Sequence, residues 1–234
     1  MTNRSIDFMK DLDARFQDAS RLTSRNFYSI FCSRIDESPV MVTGINPGGR
    51  TDGSHQLASQ SFYEDGSAEL ADMDYRIATI MRPALLTALE TNDLTVLRKV
   101  PKTNTIFQRS PTTGEFSRVE LAANAKLCAP FLAEMIAFVK PKAIVLEGLG
   151  ARENLVAHLA TAVRTIESET VRGMRRGRMS RFFQKDIAFL NPLGREVTLL
   201  TLGHPSHFGQ LPTWEGAVDA LRKNLGSAFQ PPQD

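Results

Sequence analysis

The sequence predicts an α/β fold, a three-layer α/β/α sandwich with a mainly parallel central sheet. Segments with strand-like patterns alternate with segments of helical periodicity along most of the 234 residues, as in sheets covered by helices on both faces. Residues 141–146 form a continuous apolar run, the pattern of a parallel strand buried on both sides. The apolar runs at 40–45 and 197–202 each break into a turn containing Gly and Pro. Turns of this kind hold ligands at the carboxyl edge of open α/β sheets.

The sequence pattern gives a structural prediction for five segments of the N-terminal half. Apolar residues recur near helical spacing in residues 6–22, which predicts an amphipathic helix. Residues 27–35 fit either a short edge strand or a helix. A strand at 40–45 is followed by a polar loop at 49–66, and a loop of that length without regular structure is often functional. Residues 68–89 then predict a helix with a bend at its internal proline.

The C-terminal half continues the alternation of strands and helices. β-Branched residues predict the second strand, and apolar runs predict the strands that follow it. Apolar residues at helical steps predict the helices between them. In chain order, the predicted elements are a strand at 99–109, a helix at 120–139, the strand at 141–146, a helix at 148–162, a strand or hairpin arm at 182–189, the strand at 197–202 and a helix at 214–225.

Composition and charge are those of an ordinary soluble globular protein. Apolar residues make up 42% and charged residues 23% of the chain, and the formal net charge is only +2. The N-terminus lacks the apolar core of a signal peptide, and no run of about eighteen apolar residues predicts a membrane span. Cys32 and Cys128 lie far apart in sequence, which argues against a disulfide framework and against a zinc or iron–sulfur site. We therefore expect a cytoplasmic monomer without metal or cofactor.

Three polar clusters lie at or directly after predicted strands. They are Gly44-Ile45-Asn46-Pro47-Gly48, Lys102-Thr103-Asn104-Thr105 and Gly203-His204-Pro205-Ser206-His207. Because parallel strands end at the same edge of a sheet, we expect the three clusters to converge in one site. The patterns of a phosphate-binding loop and of a nucleophilic serine at a strand-to-helix turn are both absent from the sequence.

The same clusters resemble the motifs of the uracil-DNA glycosylase superfamily. The segment Gly44–Gly48 is similar to the first motif of its mismatch-specific and single-strand-selective branches, and His204-Pro205-Ser206 resembles the histidine motif that closes the site. Thr103-Asn104, followed by Arg109-Ser110-Pro111, looks like the segment that carries the base-reading asparagine. Order and spacing agree over residues 41–225. We therefore expect one domain of this kind over residues 1–234, with a helical extension at 1–38 and a flexible tail at 230–234.

The resemblance implies a monofunctional hydrolase that flips uracil or a related damaged base out of DNA and hydrolyses its N-glycosidic bond. Asn46 would orient the attacking water, since an amide cannot deprotonate it at neutral pH. His204 would donate a hydrogen bond to the base O2 as negative charge grows there. Asn104 would pair with the base edge, and Phe62 or Tyr63 would stack on its face. The remaining residues of the base pocket would be Gly44, Ile45, Pro47 and Gly48.

DNA is the partner that the resemblance implies. Ser206 and Phe208 of the histidine loop are expected to contact it, and Phe208 or Leu211 falls where the family places an apolar wedge. Arginines crowd one segment beside Gly173 and Gly177, where a loop or hairpin tip is predicted. They are Arg172, Arg175, Arg176, Arg178 and Arg181. Such a cluster can neutralise phosphates, or it can form a solvated basic surface.

The chain also departs from the family pattern. Its first motif contains no Asp or Glu, so the more acidic branches are not matched, and Gly49-Arg50 replaces the residues that usually continue the motif. Two alternatives to a glycosylase therefore stay open. One is a protein that holds a base or nucleic acid without cleaving it. The other is an enzyme acting on a small nucleoside-like substrate. The arginine cluster favours DNA as the substrate over a small molecule.

Overall fold

The computed structural model describes six helices and six strands. It covers residues 3–20, 28–48, 62, 66–74, 76–110, 116–172, 179–204 and 214–225. The helices are α1 Asn3–Ser20, α2 Glu69–Asp72, α3 Arg76–Ala88, α4 Arg118–Val139, α5 Leu149–Leu159 and α6 Trp214–Leu225. The strands are β1 Val40–Gly44, β2 Lys102–Asn104, β3 Ala143–Glu147, β4 Ala160–Arg172, β5 Met179–Leu190 and β6 Arg195–Leu202.

All six strands form one sheet, in the order β2-β1-β3-β6-β5-β4. Neighbouring strands from β2 to β6 run parallel, whereas β5 is antiparallel to β6 and β4 is antiparallel to β5. The parallel strands β2, β1, β3 and β6 therefore end at one common edge. The mainly parallel sheet predicted from the alternation of strands and helices is confirmed.

Successive side chains of β3 pack on opposite faces of the sheet, as the two-residue period of a strand requires. Ile144 and Leu146 join the core formed with α1, α4 and α5. Ala143 and Val145 join the core formed with α3 and α6. Helices thus cover both faces of the sheet, and the predicted three-layer sandwich is confirmed.

Residues with capping functions lie at both ends of helix α4. Ser117 and Glu120 form a capping box, in which each side chain accepts a hydrogen bond from the other's backbone N–H. Lys140 ends the helix with φ 55° and ψ 45°, a left-handed conformation common after helix C-termini. By length and composition α4 resembles a membrane-spanning helix. It is a core helix, with buried residues along its length from Asn124 to Val139.

The helix predicted at 68–89 is two helices, and the break does not lie at the proline. Pro83 is inside α3, whereas the chain turns to an extended conformation at Met73, after α2. Arg82 satisfies the carbonyls that this break frees. Its Nε donates to Leu70 O at 2.9 Å and its Nη2 to Met73 O at 2.8 Å. The chain therefore breaks ten residues before the proline, where Arg82 bonds to the carbonyls of the preceding turn.

The predicted second strand is shorter than expected. A 3₁₀ helix occupies Leu94–Lys99, and β2 has only three residues. After β2, the backbone N–H groups of Thr105 and Ile106 donate to Gly44 O and Ile45 O at 2.9 and 2.8 Å. Pairing thus continues along the first motif, but Pro47 has no N–H with which to extend a ladder.

One strand was missed altogether. The helix predicted at 148–162 ends at Leu159, and the next residue begins β4, thirteen residues long. This strand pairs only with β5, and most of its described side chains are exposed. An edge strand with both faces largely in solvent has no apolar alternation, so the pattern that predicts strands is lacking.

The N-terminal segment packs into the main core. Helix α1 buries Met9, Leu12 and Phe16 completely. The Phe16 ring makes edge-to-face contacts with Tyr28, Phe107 and Phe131 at centroid distances of 5.0–5.1 Å. Residues 27–35 were predicted to form either an edge strand or a helix. Within this segment, Tyr28 and Phe31 form isolated antiparallel bridges to residues 108 and 103. The single-domain boundaries remain a prediction, and the tail at 230–234 lies outside the described residues.

Candidate functional site

The carboxyl edge of the parallel strands brings together the first two predicted clusters. Gly44, the last residue of β1, pairs in register with Asn104, the last residue of β2. On the other side of β1, Thr43 pairs with Leu146, so Glu147 ends β3 beside Gly44. Three strand ends therefore place an amide, a glycine and a carboxylate in one row.

Gly44 is the reason that the amide and the carboxylate can approach each other across β1. A Cβ atom at this position would lie 2.4 Å from Asn104 Oδ1 and 3.0 Å from Glu147 Oε2. Any side chain here would therefore displace the Asn104 amide. The glycine of the first motif is needed for the close packing of the two polar groups.

The Asn46 side chain is fixed by hydrogen bonds at the turn after β1. Its Nδ2 donates to Ser110 Oγ at 3.0 Å and to Pro47 O at 3.1 Å. The backbone N–H of Ser110 donates back to Pro47 O at 3.3 Å. Both amide hydrogens are thus used within the protein, so Oδ1 is the atom of Asn46 that can orient a water molecule.

Asn104 is almost completely buried, with 4% of its surface exposed. Its Nδ2 donates to Cys32 Sγ at 3.2 Å. Burial raises the pKa of the Cys32 thiol well above its ordinary value, and Glu69 contributes in the same direction. A neutral thiol is a weak acceptor, so the Nδ2 group of Asn104 is available for a better acceptor such as a base carbonyl.

A buried ion triad lies beside Asn104, and the sequence analysis did not identify it as part of the site. Lys102 Nζ is 2.9 Å from Glu147 Oε1 and 3.8 Å from Glu69 Oε1. Burial alone would lower the pKa of Lys102, but the attraction of Glu147 and Glu69 raises it, so the ammonium stays charged. Burial raises the pKa of Glu69, an effect that Lys102 partly offsets.

A cavity of about 270 Å³ opens among these groups. Polar side chains of the triad and of both asparagines line it together with Phe31, Phe62, Met73 and Ile77. The complete lining is Ser29, Phe31, Cys32, Asn46, Pro47, Gly48, Phe62, Glu69, Met73, Ile77, Lys102, Asn104, Arg109 and Glu147. A mixed lining of apolar side chains and a few convergent polar groups is typical of small-molecule sites.

The predicted pocket residues divide into four groups. Asn46, Pro47, Gly48, Phe62 and Asn104 line the cavity. Gly44 lies next to it without lining it. Ile45 points elsewhere, since its Cδ1 packs against Gly148 and Gly150 at the start of α5. Tyr63, the alternative to Phe62, lies outside the described residues.

His204 follows β6 at the same edge of the sheet and is partly buried. It packs against Gly148, where a Cβ atom would lie 3.4 Å from His204 Cδ2. Gly148 has φ +107°, a conformation that favours glycine. His204 is near the first motif through this contact, but it does not line the cavity. Ser206, Phe208 and Leu211 lie outside the described residues.

The hairpin of β4 and β5 extends beyond the end of β6 at this edge of the sheet. The last residue of β6, Leu202, pairs with Phe183, whereas β5 begins four residues earlier, at Met179. Arg172 ends β4 opposite Met179. The two arms therefore run past the carboxyl end of β6 before residues 173–178 join them. Arg175, Arg176 and Arg178 lie outside the described residues, and the structure describes only the backbone of Arg172.

Within the described part of the chain, no group of three or more His, Cys, Asp or Glu side chains is arranged to hold a metal ion. The carboxylates of the triad instead lie next to the Lys102 ammonium. Two features of the sequence pointed to this triad. Lys102 lies two residues before Asn104 and therefore on the same face of β2. Glu147 comes directly after the apolar run at 141–146. Neither signal identifies its partner in the sequence.

Comparison with known proteins identifies the family. The family model described as the uracil DNA glycosylase superfamily matches residues 33–223, which include β1 to β6 and the lining of the cavity except Ser29, Phe31 and Cys32. No curated protein matches the chain. The superfamily match indicates a DNA-glycosylase-like function in general. Because the match extends over most of the sequence, the chain belongs to the uracil-DNA glycosylase superfamily.

Proposed function

We propose that the protein is a monofunctional DNA glycosylase that hydrolyses the N-glycosidic bond of uracil or a related damaged base in DNA. The observation that carries this proposal is the cavity in which Asn46, Asn104 and Phe62 come together at the carboxyl edge of the sheet. Its volume of about 270 Å³ is just below the range of about 300–1,000 Å³ for drug-sized ligands, which suits a single base. Membership of the superfamily supports the same reaction class.

Base recognition in the proposal depends on Asn104. Its Oδ1 would accept the ring N–H of uracil, and its Nδ2 would donate to the neighbouring carbonyl in exchange for the Cys32 thiol. Phe62, buried and lining the cavity, would stack on the base. Both contacts require the base to leave the helix stack, as in other enzymes that act on bases.

The chemical step would break the bond between the sugar C1′ and the base, with the electron pair passing to the base. Asn46 Oδ1 would position a water whose oxygen bonds to C1′ and whose proton passes to solvent. His204 would donate to the base O2 as negative charge develops there. Lys102 is buried between two carboxylates and therefore charged, which supports a mechanism without a covalent lysine intermediate.

The DNA contacts of the proposal rest on the sequence. Ser206 and Phe208 would meet the DNA beside the flipped base. The basic side chains at the end of the β4–β5 hairpin would contact phosphates, namely Arg172, Arg175, Arg176 and Arg178. We also propose that the enzyme acts as a monomer in the cytoplasm and needs no metal or cofactor.

The experiment is to incubate the protein with single-stranded and duplex oligonucleotides that contain one uracil. We expect release of free uracil and an abasic site that breaks only after alkali treatment, since the enzyme lacks lyase activity. Strand breaks without alkali would contradict the monofunctional mechanism. DNA binding without any base release would favour the alternative of a non-cleaving binder. Release of a base only from free nucleosides would favour the third alternative.

Single substitutions test the proposed roles. His204→Ala should lower the cleavage rate by about 10²–10³-fold, the effect of removing one donor to a developing anion. Asn46→Ala should also lower the rate without preventing DNA binding. His158→Ala is the matched control, because His158 is exposed on α5, and its rate should equal that of the wild type. An unchanged rate in His204→Ala would refute the assigned role.

A further inference from the structure

Arg109 is a buried cation in the cavity wall, and the described residues give it a single hydrogen bond. It is 6% exposed and lines the cavity together with Asn46 and Asn104. Its one hydrogen bond within the described residues runs from Nη1 to Gly48 O, and at 3.5 Å it is long. Its Nε is buried and has no acceptor within the described part of the chain. A guanidinium has five N–H donors, and buried donors are normally satisfied.

The charge of Arg109 is not matched in the way that the charge of Lys102 is. Lys102 lies 2.9 Å from Glu147, whereas Arg109 forms no ion pair within 4.0 Å among the described residues. Burial lowers the pKa of Arg109, and the neighbouring Cys32 and Glu69 oppose this effect. An arginine stays protonated in either case. Among the described residues, the cavity therefore contains one cation paired with carboxylates and one cation with a buried N–H, that of Nε, for which no acceptor is present.

The position of Arg109 indicates where this acceptor would lie. The next residue, Ser110, is bonded through its backbone N–H to Pro47 O and through its hydroxyl to the Asn46 amide. This tether holds Arg109 at the turn of the first motif, on the cavity wall that Asn46 and Gly48 also form. A ligand bound between Asn46 and Asn104 would thus meet the guanidinium inside the cavity.

We propose that Arg109 donates a hydrogen bond to a carbonyl oxygen of the bound base and stabilises the negative charge that the base acquires as it leaves. This inference rests on the proposed function. The C1′–N bond breaks, its electron pair passes to the base, and the charge spreads to the carbonyl oxygens. Water bonds to C1′ and loses a proton to solvent, and the released base is protonated there. Arg109 is then a catalytic residue in addition to His204.

The test compares two leaving groups. Single-turnover rates are measured for Arg109→Gln and for the wild type on the same oligonucleotide, with either uracil or 5-fluorouracil at the target position. The 5-fluorouracil anion is the more stable, so it needs less help from the protein. We expect Arg109→Gln to slow uracil release by about 10²–10³-fold and 5-fluorouracil release at least tenfold less. A residue that only supports the fold would slow both substrates equally.

Two control variants accompany this comparison. Arg118→Gln removes an exposed arginine from the start of α4, and both of its rates should equal those of the wild type. Arg109→Lys keeps the charge but loses the planar set of donors. It should shift the ratio of the two rates in the same direction as Arg109→Gln, to a smaller extent. If the glutamine variant fails to fold, the lysine variant carries the test.

The outcomes separate this inference from the proposed function. Equal slowing of both substrates, with weaker binding of DNA that carries an abasic-site analogue, would place the guanidinium on a backbone phosphate and overturn the inference alone. Unchanged rates in both arginine variants would overturn it as well. A wild-type protein that releases neither base would contradict the proposed function and, with it, this inference.

Discussion

Lys102 carries a positive charge into the interior of the molecule. Its side chain is 2% exposed, and its ammonium lies between Glu147 and Glu69. A buried charge without a partner would be far more costly than the pair. Both glutamates come from elements that are distant in sequence, one from β3 and one from α2. The triad therefore ties three elements together at the floor of the cavity.

Removal of the lysine alone should expose this dependence. We expect Lys102→Met to lower the free energy of unfolding by about 3–5 kcal/mol, because Glu147 is left buried without its cation. The double variant Lys102→Met/Glu147→Gln removes both charges and should recover part of the loss. Urea unfolding of the wild type, both single variants and the double variant measures the coupling. Additive effects of the two substitutions would show that the pair is not coupled in solution.

Residues of the site were predictable where a local motif marks a strand end. Asn46 was predicted because it follows a parallel strand, where ligands bind, and Asn104 was predicted through the resemblance of its segment to a family motif. Glu147 was not, because a lone charge after an apolar run has the pattern of a solvated strand end. Glu69 was not, because only the tertiary fold brings its short helix to the cavity. Arg109 was named only as part of the motif and received no role of its own. The burial of its side chain is a property of the fold that the sequence does not show.

A buried carboxylate anchors the β4–β5 hairpin. Asp186 on β5 is fully buried and accepts hydrogen bonds from three side chains. They are Arg152 Nε at 2.6 Å, Thr165 Oγ1 at 2.7 Å and Gln184 Nε2 at 2.7 Å. These partners belong to α5, β4 and β5. The edge strand that the sequence pattern failed to predict is thus held by polar contacts as well as by its ladder.

Asp186 should also make the hairpin sensitive to acid. Burial raises its pKa, but the hydrogen bonds from Arg152, Gln184 and Thr165 outweigh this effect and lower the pKa below its ordinary value. The carboxylate therefore stabilises the folded state at neutral pH. This stabilisation is lost as the pH falls from the ordinary aspartate pKa, about 3.9, through the lowered native value.

The substitution Asp186→Asn tests this anchor. We expect a loss of about 2–3 kcal/mol in the free energy of unfolding at neutral pH, less than for a fully buried pair because Arg152 is partly exposed. The difference from the wild type should shrink as the pH falls below about 4. Asp219→Asn is the control, since Asp219 forms an exposed ion pair with Arg222 on α6. A difference that stays constant with pH would contradict the charged role of Asp186.

The net charge of the whole chain, +2, gives little general attraction to DNA. The distribution of charge matters more, since the arms of the β4–β5 hairpin end at the edge that holds the cavity. The layers and the parallel sheet were predictable because apolar patterns repeat over many residues. The position of the hairpin was not, because it depends on how far β4 and β5 extend beyond β6, and the mostly exposed β4 has no apolar pattern that marks its length.

If the arginines of the segment that joins β4 to β5 contact phosphates, the salt dependence of DNA affinity must show it. Each phosphate contact contributes about 0.9 to the slope of log affinity against log salt concentration on duplex DNA. We expect the double variant Arg175→Gln/Arg176→Gln to weaken binding and to reduce this slope by up to about 2. The control is Lys99→Gln/Lys142→Gln, which removes the same charge from two exposed positions before β2 and β3, at the opposite edge of the sheet. Equal changes of slope in the two double variants would mean that only net charge matters, and the arginines would then be a solvated basic surface.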